Sequence, residues 1–149
     1  MKIPACALMI LSFALSTVGP AAARNVKLIL PIAAAMEATD VQDRPTGAVK
    51  FFFGAQTSPK ILAKFGSHVA SPRTAAMGKS DDKACREALL WTLVALEKRA
   101  QQVGANAVVN IVSYYKKEEL ASATGFECHV GNVIVSVVFK GELVKIADE

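Results

Sequence analysis

The chain has 149 residues, 52% of them hydrophobic and 20% charged, with a formal charge of +4. That length suits one domain and the apolar fraction excludes a disordered chain. Nine Gly and six Pro exclude a collagen-like or low-complexity chain.

The first 23 residues read as a Sec-type signal peptide. Met1-Lys2 is a short positive start, Ala5 to Val18 an apolar run, and Gly19-Pro20 a helix break before Ala21-Ala22-Ala23. The apolar run is about 14 residues, short of the roughly 20 needed to span a bilayer. Cys6 lies near the start of that run rather than at the cut, so no lipid anchor is expected. Cleavage after Ala23 leaves residues 24–149, a single expected domain of 126 residues with charge +3. Its positive excess is scattered and forms no basic stripe with interleaved aromatics, so nucleic acid is not an expected partner. Two cysteines remain, Cys85 and Cys128, an even number in an exported chain.

Val26 to Ile32 fits a strand, and Pro31 to Thr39 fits a short helix with Pro near its first turn. Ala48 to Phe53 reads as a strand ended by Gly54. Gln56 to Met77 carries Pro59, Gly66 and Pro72 and reads as loop with one or two short strands, around Ile61 to Val69. The strongest signal is a helix over Asp81 to Val103. Ser80 stands at its N-cap, Asp81 and Asp82 lie at its positive end, and Gly104 serves as its stop. Cys85, Leu89, Thr92, Leu96, Ala100 and Val103 share its apolar face, while Glu97, Lys98 and Gln101 are expected outside. Leu90, Trp91 and Val94 fall off that stripe, so a second layer or a partner subunit must cover the middle of the helix.

Three strands are expected after the helix. Ala107 to Tyr115 alternates. Gly125 to Val130 puts Phe126, Cys128 and Val130 on one face and Glu127 and His129 on the other. Val133 to Lys140 follows a tight turn at Gly131-Asn132, and Gly141 opens a short tail. Short connections favour antiparallel pairing. The expected architecture is α+β, one long helix packed across an antiparallel sheet of about four strands.

In that arrangement Cys85 sits on the core face of the helix and Cys128 on the apolar face of a strand, so the two can form a disulfide. The alternative is a metal site drawn from Cys85, Cys128, His129 and His68, a legal zinc or copper(I) donor set. Against it, Cys128 and His129 are adjacent on a strand and point to opposite faces. His129 and Glu127, two apart, can pair on a face otherwise expected to be solvated. No serine sits in G-x-S-x-G, and neither G-x-x-x-x-G-K-[ST] nor G-x-G-x-x-G occurs, so no nucleotide is expected. Phe51-Phe52-Phe53 and Tyr114-Tyr115 supply aromatics for packing or an interface. Lys116-Lys117-Glu118-Glu119 reads as a solvated hairpin tip.

The segment from Cys85 to Val144 carries a resemblance. "CREALLWTLVALEKRAQQVGANAVVNIVSYY" followed by "TGFECHVGNVIVSVVFKGELV" resembles a group of small exported bacterial proteins often labelled "excinuclease ATPase subunit". The chain has neither the phosphate-binding loop nor the C-x-x-C zinc ligands that such a label would require. More remotely, the helix, "GANAVV" and strand pattern is similar to the YbjQ-like heavy-metal-binding family, an α+β fold that forms rings of five. It is also similar to the globular domain of the envelope-stress lipoprotein RcsF, which has a helix-to-strand disulfide. The RcsF resemblance implies that Cys85 and Cys128 match that bridge; its second bridge and its lipid-bearing cysteine have no counterpart here.

The expected function is an exported, non-catalytic binding or sensor-type domain of the cell envelope, periplasmic or secreted. The alternative is a periplasmic metal-binding protein using Cys85, Cys128 and a histidine. A protein or another envelope component is the expected partner, with self-association a further option. No cofactor and no membrane anchor after cleavage are expected.

Overall fold

The computed structural model describes residue 19 and residues 22–148; most of the expected signal peptide, 1–23, lies outside the described residues. In chain order the elements are β1 (Val26–Pro31), α1 (Ile32–Glu37), β2 (Lys50–Phe53), β3 (Ile61–Ala70), β4 (Thr74–Ala75), α2 (Asp81–Val103) and β5 (Ala107–Ser113). One turn of 3-10 helix (Tyr115–Lys117), β6 (Gly125–Val130), β7 (Ile134–Ser136) and β8 (Phe139–Ile146) follow.

Helix α2 forms where its punctuation places it. The Ser80 side chain accepts the Lys83 N–H at 3.3 Å. Gly104 takes a left-handed φ of 81° and donates its N–H to the carbonyls of Ala100 and Gln101. Cys85, Leu89, Thr92, Leu96 and Ala100 are buried. So is Leu90, because α2 is contacted by α1 and by strands from more than one sheet.

The α+β class holds, and the expectation of a single antiparallel sheet of about four strands is corrected. There are two four-stranded sheets, ordered β1-β6-β7-β4 and β2-β5-β8-β3. β2 and β5 pair in parallel, across a long connection that includes α2. The expected strand over Val133 to Lys140 is two strands in different sheets. At the switch the Thr92 hydroxyl of α2 lies 3.1 Å from the Val137 carbonyl and 2.6 Å from the Ala88 carbonyl of its own helix. The core runs between the sheets and along α2. Leu89, Leu93 and Leu96 meet Phe126, Val130 and Val135 of the first sheet and Val108, Ile111, Phe139 and Leu143 of the second. A smaller cluster of Ala107, Val109, Val144 and Ile146 is joined by Phe52 and Ile61. Among the described residues no helix is long and apolar enough to cross a membrane.

β8 runs straight through Gly141, where the sequence suggests an end. A Cβ there would lie 2.5 Å from Val108 Cγ1 and 3.2 Å from Ile111 Cγ1 on β5. β5 bulges at this point, and its register against β8 shifts between Val109 and Val112. Glycine is therefore what lets the two strands close. Gly141→Ala is expected to cost about 1–3 kcal/mol by overpacking, read as a lower urea midpoint with the α2 circular-dichroism signal retained.

Candidate functional site

The alternation of β6 divides the chemistry of the chain into two sides. Toward α2, Cys128 is bonded to Cys85, with Cα atoms 5.9 Å apart. Both cysteines are fully buried. A buried bridge of this kind belongs to an oxidising, extracytoplasmic compartment.

The structure does not bring together the alternative metal set of Cys85, Cys128, His129 and His68. Both sulfurs are spent on each other. His129 is on β6, on the other side from Cys128, and His68 is on β3, opposite Gly141 in the second sheet. Burial first, and the charge of Arg99 second, hold His68 below the ordinary histidine range. Among the described residues no three His, Cys, Asp or Glu side chains converge as a metal site.

On the far side of β6, Glu127 and His129 do pair. His129 Nε2 lies 2.5 Å from Glu127 Oε1. The face is not the solvated one expected: His129 is 9% exposed and Glu127 8%. β1 pairs antiparallel with β6 and sets Lys27 opposite His129, so Lys27 Nζ reaches Glu127 Oε2 at 3.0 Å. Asn25, just ahead of β1, places Oδ1 3.2 Å from His129 Nδ1. From the other flank Tyr115 lies flat on the imidazole, ring centroids 3.5 Å apart and planes within 12°. The Ser113 hydroxyl accepts the Glu127 N–H at 3.0 Å and ties the end of β5 to β6. Burial pushes the Glu127 carboxyl up, but hydrogen bonds from His129 and Lys27, with the Lys27 charge, outweigh it and hold the group below its ordinary value.

This cluster resembles an acid–base pair in composition and differs in access. A general base needs a ring nitrogen free to take a proton from a bound reactant. Here both nitrogens of His129 have partners and a tyrosine covers the ring. The cluster fastens three separate pieces of chain: the residues before β1, β6, and the Tyr115–Lys117 turn. That turn holds Lys116 and Lys117 at φ 52° and 67°, a conformation costly for residues with a Cβ. The tip beyond Tyr115 is exposed, as the sequence implies, with Glu119 paired to Lys140 at 2.7 Å.

The aromatics of β2 are absorbed by packing. Phe53 is in the core, edge-on to Phe139 at 5.8 Å. Phe51 packs against the same core, and Phe52 against the smaller cluster.

One residue expected outside is inside. Glu97 is 3% exposed. The segment before β2 crosses α2 there, and the Thr46 N–H donates to Oε1 and Oε2 at 3.1 and 2.9 Å. The Thr46 hydroxyl adds a bond to Oε1 at 2.9 Å. Beside it a groove of about 570 Å³ opens, with Trp91, Val94, Asp43 and Lys98 among its walls. The one sequence signal for Glu97 is its place directly after Leu96, at the edge of the apolar stripe. No family model matches the chain, and neither a curated protein nor a solved structure does.

Proposed function

We propose that this chain is an exported binding or sensor-type domain of the cell envelope, periplasmic or secreted, that performs no catalysis. The observation that carries the reading is the Cys85–Cys128 bridge, buried between the main helix and the first sheet. A bridge so placed is structural, and chains that depend on one fold outside the reducing cytosol. The small-residue cut site after Ala23 points the same way. The absence of catalysis is inferred from the His129–Glu127 pair, whose polar atoms are occupied within the fold. The partner is a protein or another component of the envelope.

Intact mass of protein taken from the periplasmic fraction tests this. The chain is expected to begin at Arg24. In denaturant it should take no alkyl groups without reductant and two after reduction. A retained N-terminus, or thiols that alkylate in denaturant without reductant, overturns export or the bridge.

A further inference from the structure

We propose that the groove beside Trp91 and Glu97 binds a small ligand carrying a guanidinium group. This deepens, and rests on, the reading of the chain as a binding domain. At about 570 Å³ the groove is in the size range of small-molecule sites. Three features select a cation. The first is Glu97, buried with no cationic partner among the described residues; its hydrogen bonds all come from Thr46. Buried carboxylates are ordinarily paired. A carboxylate offers about four acceptor positions, and the two donors of Thr46 leave room for another. The second is Asp43, exposed on the same wall and likewise without an ion pair among the described residues. The third is Trp91, which falls off the apolar stripe of α2 and stands 39% exposed in the wall of the groove. Indole is the best aromatic partner for a cation.

Guanidinium fits this set better than a simple ammonium. It is planar and weakly hydrated, it stacks on aromatic rings, and it donates a fork of N–H groups to a carboxylate. Two positive side chains stand nearby. Arg44 is held away from Glu97: its terminal nitrogens donate to the carbonyls of Ala38 and Met36, beyond and at the end of α1, although its charge remains on the groove wall. Lys98 is exposed on the rim and opposes a cation. Its removal therefore has a predicted sign.

Trp91 is the only tryptophan in the chain, so its emission reports the groove directly. The test is a titration of the disulfide-bonded chain with N-acetyl-arginine amide, followed by fluorescence and by calorimetry. The neutral isostere N-acetyl-citrulline amide is the control. A saturable response to the arginine compound is expected, with the citrulline compound about tenfold weaker or more. Glu97→Gln should weaken binding about tenfold or more. Asp43→Asn should weaken it, and Lys98→Gln strengthen it, each by about two- to threefold. Asp43 makes no side-chain hydrogen bond or ion pair among the described residues, so its variant decides the matter should Glu97→Gln fail to fold. No saturable response, equal binding of the two compounds, or an affinity that ignores both acidic substitutions overturns the proposal. A null titration on protein whose bridge and Arg24 start are verified removes this ligand class and leaves the exported domain standing. Binding with the ligand recovered chemically altered supports the groove and removes the non-catalytic reading instead.

Discussion

Replacing both cysteines, as Cys85→Ala with Cys128→Ala, is expected to lower the unfolding free energy by about 4 kcal/mol. The two residues are 43 positions apart, so the bridge closes a long loop and removes much of the entropy of the unfolded chain. Both sulfurs are fully buried, so their loss also leaves small voids against α2 and β6. For a domain of this size the melting temperature should fall by ~15 °C. Urea unfolding should show a lower midpoint and a steeper slope, because the uncrosslinked chain exposes more surface on unfolding. Reductant should bring the parent protein near the variant and leave the variant unmoved. The weakening should not be uniform. The bridge is the only covalent tie between α2 and the first sheet among the described residues, so amide protection in β6 should fall further than in β5. A variant within about 1 kcal/mol of the parent would mean that packing alone fixes that sheet.

Helix α2 was legible because its signals are local. Ser80, the two aspartates and Gly104 are read within a few residues of the ends they define. β6 was legible for the same reason, bounded by Gly125 and by the Gly131-Asn132 turn. β3 was legible to within a residue of its observed span, around Ile61 to Val69, but inside a stretch that reads mainly as loop. It lies at the edge of its sheet, nearly all its residues are exposed, and Gly66 bends it at φ 90°. Without burial on one face, no hydrophobic alternation is imposed. The division of the last strand was hidden because alternation continues across it; only the distant Thr92 hydroxyl marks the break. The candidate sites divide similarly. The cysteines could be paired from two local faces. The burial of Glu97 depends on Thr46, 51 residues away, and that of His129 on Asn25, 104 residues away. Such covering contacts leave no periodicity in the sequence.

Glu127→Gln is expected to cost about 1–3 kcal/mol at neutral pH, through weakened hydrogen bonds to a charged acceptor. The substitution keeps the shape of the side chain and removes the charge that Lys27 and His129 both address. Lys27 is more than half exposed and can turn to water, so most of the loss falls on buried His129. The pH dependence has a definite sign. Glu127 is held below its ordinary value of 4.5 in the folded chain, so at acid pH the unfolded chain takes up the proton first. Its contribution is therefore fully present above the unfolded value and lost as pH falls through the lower folded value. The deficit of the variant should be present at neutral pH and shrink as pH falls below about 5. Paired urea titrations at neutral and strongly acid pH measure this. A deficit that persists unchanged into acid would mean that the charge on Glu127 does not hold the cluster. The same variant should release the start of the chain. Lys27 reaches Glu127 from β1, and Asn25 reaches His129 from just ahead of it; β1 is an edge strand whose one sheet partner is β6. Amides of Val26 to Leu30 should therefore exchange faster in Glu127→Gln, while those of α2, closed by its own caps and the bridge, keep their protection.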